Sequence, residues 1–262
     1  MSSTVEVSVI TTTYNSIDFL PEAIESIRKQ TFINYEHIVI NDGSSDGTRN
    51  FLNQIQDPKL KVFNLPRTGR GKCLNFGISK ARGKYIAILD SDDISSEQRL
   101  MIQSKFLDEN PFADVVSSEY VIRKEHLLFS NKQFQFKQIK FTDFFNRNPI
   151  CHSSVLIRKK VLTDHSNYNQ KIKVLYDLDL WVRLLISNCS FYEINLPLAY
   201  KRLHPLQFFE KQNRFDYLYK AVKLKKKVLN NFSGSVLNYL FIYLSFVYGF
   251  LPSKIRQFLN LR

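Results

Sequence analysis

The sequence predicts an α/β fold with a mostly parallel central sheet flanked by helices, and a basic amphipathic helical tail after it. Three observations predict it. Apolar, β-branched runs alternate with runs of helical period through the first ninety residues. Each strand-like run ends in a polar cluster, which a parallel sheet gathers at one edge. The last of these strands, Lys84-Tyr85-Ile86-Ala87-Ile88-Leu89, stops in Asp90-Ser91-Asp92-Asp93. Carboxylates this dense repel one another and disfavour a strand. Hard oxygen ligands so close together suit Mg²⁺ or Mn²⁺. The same four residues also read as an acidic turn capping a helix over residues 95–109.

In order, residues 5–10 alternate as a strand and end in Thr11-Thr12-Thr13-Tyr14-Asn15. Residues 17–30 carry a helical stripe of Phe19, Leu20, Ala23, Ile24 and Ile27, with Pro21 in the first turn, where proline is tolerated. Residues 35–40 form the next strand and end in Asn41-Asp42-Gly43-Ser44-Ser45-Asp46, with Asp46 capping a helix to about Gln56. Residues 61–65 form a third strand. A basic loop, Thr68-Gly69-Arg70-Gly71-Lys72, precedes a helix over 73–81, and then comes the acidic strand. Beyond it, residues 113–122, 127–129 and 151–157 read as strands, 141–147 and 176–187 as helices, and 197–204 as extended. Each polar cluster alone is an ordinary turn. Together they outline a pocket with an aromatic, a basic loop and an acid cluster, which suits a nucleoside diphosphate.

The chain has 262 residues, 44% of them hydrophobic, enough for one large domain or a domain with an appendage. Cys73, Cys151 and Cys189 are far apart, so neither a disulfide framework nor a zinc site is indicated, and a reducing cytosol fits. A first strand near Val5 leaves no room for a signal peptide. Of the net charge of +13, residues 199–262 hold +10, from twelve Lys and Arg against two acids. The composition shifts after His204, which predicts a domain over 1–205 and a helical, membrane-associating segment over 206–262.

The chain resembles the family 2 inverting glycosyltransferases of the GT-A fold. The resemblance rests on six stretches in the family's order: residues 7–15, 40–48, Asn75-Phe76-Gly77-Ile78, residues 83–93, Asp177-Leu178-Asp179-Leu180-Trp181, and Tyr200-Lys201-Arg202-Leu203-His204. It implies a metal-dependent transfer of a sugar from a nucleotide-diphosphate donor, most simply UDP-linked. The implied acceptor is a saccharide or a lipid-linked molecule in bacterial surface polysaccharide, lipopolysaccharide or glycolipid synthesis. Thr12 and Tyr14 would line the nucleobase pocket, and Asp42 would accept from the base. Lys72 and Arg70 would face ribose or diphosphate. Asp90 and Asp92 match the family's Asp-x-Asp, with Ser91 between them. Asp90 would touch the ribose, or the metal through water, and Asp92 would ligate Mg²⁺ or Mn²⁺. Asp93 would stand near metal or acceptor, and His204 near metal or diphosphate. Asp177 matches the catalytic base, at a helix start whose dipole favours the ionised form. Two departures stand out: Tyr176 where an acid often precedes the base, and Thr12 where a proline is common.

In the tail, Phe215, Leu218, Tyr219, Val222 and Leu229 fall at helical spacing beside a run of lysines. Residues 236–251 are apolar but would span only roughly 24 Å as a helix, short of a hydrocarbon core of about 30 Å. A basic helix over 254–262 would follow. Aromatic and basic residues around an apolar face describe an anchor lying on the inner face of the cell membrane. Helices packed on the domain, or a true span, are the other readings of residues 212–262.

Two rival functions follow from the same sequence. A sugar-nucleotide pyrophosphorylase would need a glycine-rich basic loop after the first strand, and Thr11–Asn15 has neither glycine nor base. A non-catalytic basic membrane- or nucleic-acid-binding module would need its charge on the main domain. The charge lies outside it and no nucleic-acid motif is present, so no nucleic-acid partner is expected.

Overall fold

The computed structural model describes residues 4–122, 134–146, 148–165, 167–204, 214–232 and 235–251. Its centre is one mixed sheet in the order β3-β2-β1-β4-β8-β6-β9-β5, with β7 also paired to β9. The first half is parallel. β1 (Val7–Thr13) lies between β2 (Tyr35–Asp42) and β4 (Tyr85–Ile88), and β3 (Leu60–Leu65) flanks β2. Every residue of β1, β2 and β4 is buried, the polar Ser8, Glu36 and His37 included, because helices cover both faces of the sheet. The second half mixes directions. β8 (Leu156–Arg158) runs antiparallel to β4 and to β6 (Val115–Val121), while β6 is parallel to β9 (Phe191–Tyr200).

Helices cover both faces. α1 (Leu20–Arg28), α2 (Thr48–Gln54) and α3 (Arg70–Lys80) connect the parallel strands. The N-cap of α2 is Gly47, and the expected cap, Asp46, stands one residue before it and accepts from the Thr48 N–H at 3.0 Å. α3 starts three residues earlier than its apolar pattern indicates, so Arg70 and Lys72 stand in its first turn rather than in a loop. α3 can pack closely on the sheet because Gly77 has no Cβ: one there would lie 2.7 Å from Ile40 and 2.8 Å from Ile10.

Three differences from the sequence reading have local causes. The helix expected from Ser95 begins at Arg99, as α4 (Arg99–Glu109), because Ile94 and Ser95 form β5 against Tyr200 and Ala199. β9 begins at Phe191, six residues before Pro197. It tolerates that proline because the β6–β9 register shifts there. β7 (Phe136–Gln138) and α6 (Lys159–Asp164) are too short to show a period. The expected strand at 127–129 and helix at 254–262 lie outside the described residues.

α5 (Asp143–Asn146) and α7 (Tyr176–Ile186) complete the domain. α8 (Arg214–Asn231) and α9 (Val236–Gly249) form a hairpin that packs on it. Val228, Leu229 and Ile242 of the hairpin belong to the same apolar cluster as Trp181, Phe144 and Ile86. Phe232 stacks on Phe141, with ring centroids 5.1 Å apart.

Candidate functional site

The four polar strand ends meet at the carboxyl edge of β1, β2, β3 and β4, and hydrogen bonds join them. Asn15, after β1, donates its N–H to Ser44 Oγ at 3.0 Å and accepts from the Ser45 N–H at 2.8 Å. Its φ of 49° is left-handed, a conformation asparagine tolerates. Ser16 and Ser91 hydroxyls lie 3.1 Å apart. Asp42, at the end of β2, is almost wholly buried. Its carboxylate accepts from the backbone N–H groups of Thr68 (2.6 Å) and Gly69 (3.1 Å) and pairs with Arg67. The Arg67 guanidinium in turn covers the Tyr14 ring at 3.6 Å. Tyr14 and Asp42 therefore come together as expected, joined by an arginine that the sequence did not single out. Thr12 is buried near the end of β1.

The acid cluster follows β4. Carboxylate oxygens of Asp90, Asp92 and Asp93 lie within 4.8 Å of one another. Asp90 pairs with Arg70 from the first turn of α3, and His152 Nδ1 donates to its Oδ1 at 3.0 Å. Burial opposes the Asp90 charge, but Arg70 and His152 outweigh it and hold the carboxyl below its usual range. Asp93 is buried. It accepts from Ser153 Oγ at 2.5 Å and from the Arg202 N–H at 3.0 Å. Burial first, then Asp92 and Asp90, push its pKa up to about 8. Asp92 is more open, and His204 Nε2 lies 3.1 Å from its Oδ2. His204 Nδ1 is buried without a hydrogen-bond partner. Oxygen donors with one imidazole at their rim, in a cluster whose like charges a cation would relieve, fit Mg²⁺ or Mn²⁺.

Asp177 stands in the first turn of α7, half-buried, and accepts from Asn148 Nδ2 at 2.8 Å. Asp179 is buried and tied to Arg183 Nε at 2.9 Å. Leu175, left-handed at φ 57°, sets the start of α7. Tyr176 lies under the Arg70 guanidinium at 5.1 Å. Burial opposes the Arg70 charge, but the carboxylates of Asp90, Asp92 and Asp177 outweigh it and raise its pKa. One guanidinium is thus within electrostatic reach of both the acid cluster and Asp177. Lys72 is exposed and has no ion pair among the described residues.

A profile of the family "Glycosyl transferase family 2" matches residues 8–165. The chain belongs to this family. It is 31% identical over 260 residues to the uncharacterised glycosyltransferase MJ1057 of Methanocaldococcus jannaschii, covering 91% of this chain and 89% of that one. It spans only about a third of some longer Rickettsia relatives at 33% and 32% identity. Among solved structures, residues 1–349 of S. aureus TarS in complex with UDP-GlcNAc superpose with a TM-score of 0.70. That match has 19% identity and covers 93% of this chain and 72% of that one. The mannosyltransferase PcManGT of Pyrobaculum calidifontis, in complex with GDP-Man and Mn²⁺, superposes at 0.64 with 14% identity, over 98% of this chain and 83% of that one. The fold is GT-A, and the chain is a glycosyltransferase.

Several site residues of this glycosyltransferase carry no sequence signal of their own. His152 sits in a 3-10 turn, His152–Ser154, between Asp90 and the Tyr168 hydroxyl, 2.8 Å from its Nε2. Arg99 is fully buried behind the cluster. It donates to the carbonyls of Ile88 (2.9 Å) and Val155 (2.8 Å), and burial pulls its pKa down to about 10. Asn148 and Ser153 complete the set. Their partners lie far off in sequence, so no spacing could have found them.

Proposed function

We propose that this glycosyltransferase transfers a sugar with inversion from a nucleotide-diphosphate donor, most simply a UDP-sugar, to a saccharide or lipid-linked acceptor. Asp177 is the base. It takes the proton of the acceptor hydroxyl as that oxygen attacks the anomeric carbon, and the bond from that carbon to the diphosphate oxygen breaks. A single base opposite the leaving group inverts the centre in one displacement, with no second carboxylate as nucleophile. The observation that carries this reading is Arg70, which pairs with Asp90 of the acid cluster and lies 5.1 Å over the ring of Tyr176, the residue before Asp177. A guanidinium there stabilises the departing diphosphate while the base works on the acceptor.

Tyr14 stacks on the nucleobase, Asp42 accepts from it, and Thr12 lines its floor. For this the Arg67 guanidinium must leave the Tyr14 ring. Arg70, Lys72, Asp90 and Ser91 bind ribose and diphosphate. Asp92 and His204 hold Mg²⁺ or Mn²⁺, with Asp93 beside them. When bound, the cation supplies positive charge to the diphosphate. The proposed setting is bacterial surface polysaccharide, lipopolysaccharide or glycolipid synthesis in the cytoplasm. There the enzyme lies peripherally on the inner face of the membrane through residues 212–262, the helical segment that follows the domain over 1–205. The test is a screen of UDP-, GDP- and TDP-sugars for donor turnover with Mg²⁺ or Mn²⁺. Turnover with one of them, lost in Asp92→Ala, is the expected result. Near-normal turnover in that variant would remove the metal assignment.

A further inference from the structure

α9 presents an apolar face that no described residue covers. Leu237, Leu240, Leu244 and Val247 recur at helical spacing on it, and Leu237 and Val247 are 74% and 63% exposed. Phe241 widens the face, while Ile242 points the other way into the core. The helix carries no charged residue. A face this apolar marks a site of association rather than ordinary surface.

The border of the face is aromatic, then cationic. Phe215 of α8 meets Phe246 and Phe250 at 6.0 and 6.2 Å, and it stacks parallel to Tyr219. Lys226 Nζ lies 4.6 Å over the Tyr243 ring. On α8, Lys220, Lys223 and Lys227 are exposed one turn apart. Apolar centre, aromatic belt and lysine rim are the layers of a helix pair lying in a lipid interface. Two copies of the chain meeting through this face would instead bring two lysine rims together. α9 spans roughly 21 Å, so it lies on a bilayer rather than through it. No helix among the described residues is long and apolar enough to cross a membrane.

The hairpin also rests on the elements that position Asp177. α8 packs against α7, which carries Asp177 in its first turn. α9 packs against α5, two residues before Asn148, the donor to Asp177.

We propose that the exposed face of α9 seats on an anionic lipid surface with the α8 lysines at the headgroups, and that the acceptor is drawn from that surface. The second part rests on the placement of the acceptor beside Asp177; the first does not. The test uses the full chain and a triple variant, Leu240→Glu, Leu244→Glu and Val247→Glu, whose side chains lie outside the core. Vesicles are phosphatidylglycerol mixed with phosphatidylethanolamine, or phosphatidylcholine alone. Expected are co-sedimentation with the anionic vesicles that weakens as salt rises, little with phosphatidylcholine, and at least a tenfold loss in the variant. Donor hydrolysis in solution should be equal in the two proteins. Sugar passing from labelled donor into the organic extract of isolated bacterial membranes should fall with vesicle binding. Equal co-sedimentation of variant and parent would overturn the docking face. So would a parent dimer that the variant breaks without change in vesicle binding. Label that stays wholly in water-soluble saccharide would overturn the lipid-borne acceptor alone. Absent donor hydrolysis in both proteins, with vesicle binding intact, would count against the transferase reading and not against the face.

Discussion

Asp177 and Asp179 differ by two positions and by everything around them. Asp177 is half-buried with an amide partner, whereas Asp179 is buried against Arg183. Asp177→Asn keeps the shape but cannot take a proton at neutral pH, so turnover should fall by about 10²–10⁴ with donor affinity nearly unchanged. Asp179→Asn should lose stability and keep substantial turnover per folded molecule. Turnover of both at saturating donor is the check; an active Asp177→Asn beside a dead Asp179→Asn moves the base. The motif could be read from the sequence, because Asp-x-Asp-Leu-Trp is a local pattern. The choice between its two acids rests on Arg183 and Asn148, and only the second of these lies far away in the chain. His37 bears on stability instead. It is fully enclosed on β2, with Nε2 3.0 Å from Thr11 Oγ1, and burial lowers its pKa to about 3 despite Asp57. Below its ordinary value of 6.5 the unfolded chain binds a proton that the folded one refuses. Its contribution is intact above pH 6.5 and is lost as pH falls towards about 3, at up to about 1.4 kcal/mol per pH unit. Between pH 6.5 and 5 the melting temperature of His37→Gln should fall less steeply than that of the parent. Parallel slopes would show that His37 is not the titrating group.

Among the elements, α3 shows how one segment serves both fold and site. Gly69, its N-cap, has φ 95° and ψ 150°, a region open to glycine alone, and donates to both oxygens of Asp42 at 3.1 Å. At the far end Gly83 lets the chain cross β1 closely: a Cβ there would lie 2.6 Å from Ser8 N and 2.8 Å from Glu6 O. Gly83→Ala must move backbone and should cost about 1–3 kcal/mol of stability, with donor affinity unchanged in the folded fraction. Gly69→Ala has open space around it but a forbidden backbone. It should displace the Asp42 partner and weaken donor binding. Melting and calorimetric titration of both variants separate the two effects, and equal donor affinities would break the link from Gly69 to Asp42. The parallel half of the sheet was legible because each strand is followed by its own turn cluster and β1, β2 and β4 are buried throughout. In the second half β6 was legible as the run over 113–122, but the short strands were not. β5 is two residues held by β9, and β7 and β8 are three residues each. Their strand character comes from the partner and not from their own period.

On the scale of the whole molecule, the tail is divided in its loyalties. Its charge excess and its apolar run read as an appendage, and α9 does expose one side. The other side belongs to the core: Val228, Leu229 and Ile242 are almost wholly buried, and Phe232 stacks on Phe141. The sequence shows each helix to be amphipathic but not what its apolar side meets, since the contacts reach back about forty residues to α7 and about ninety to α5. Removing residues 206–262 therefore does two things at once. It takes away the proposed lipid-facing surface, and it uncovers the outer side of α5 and α7. Each of the three lost side chains contributes about 1.5–3 kcal/mol by burial. In a chain this long each kcal/mol is worth about 2–4 °C. The truncated protein should melt on the order of 10 °C or more below the parent. Its lost vesicle binding would then be hard to separate from unfolding. The Leu240, Leu244 and Val247 glutamates avoid this, because those side chains face outward and should leave the melting temperature within a few degrees. A truncated chain that melts with the parent would mean that the hairpin contributes nothing to the core. A triple variant that melts as low as the truncation would mean that the outward face of α9 is itself part of the packing.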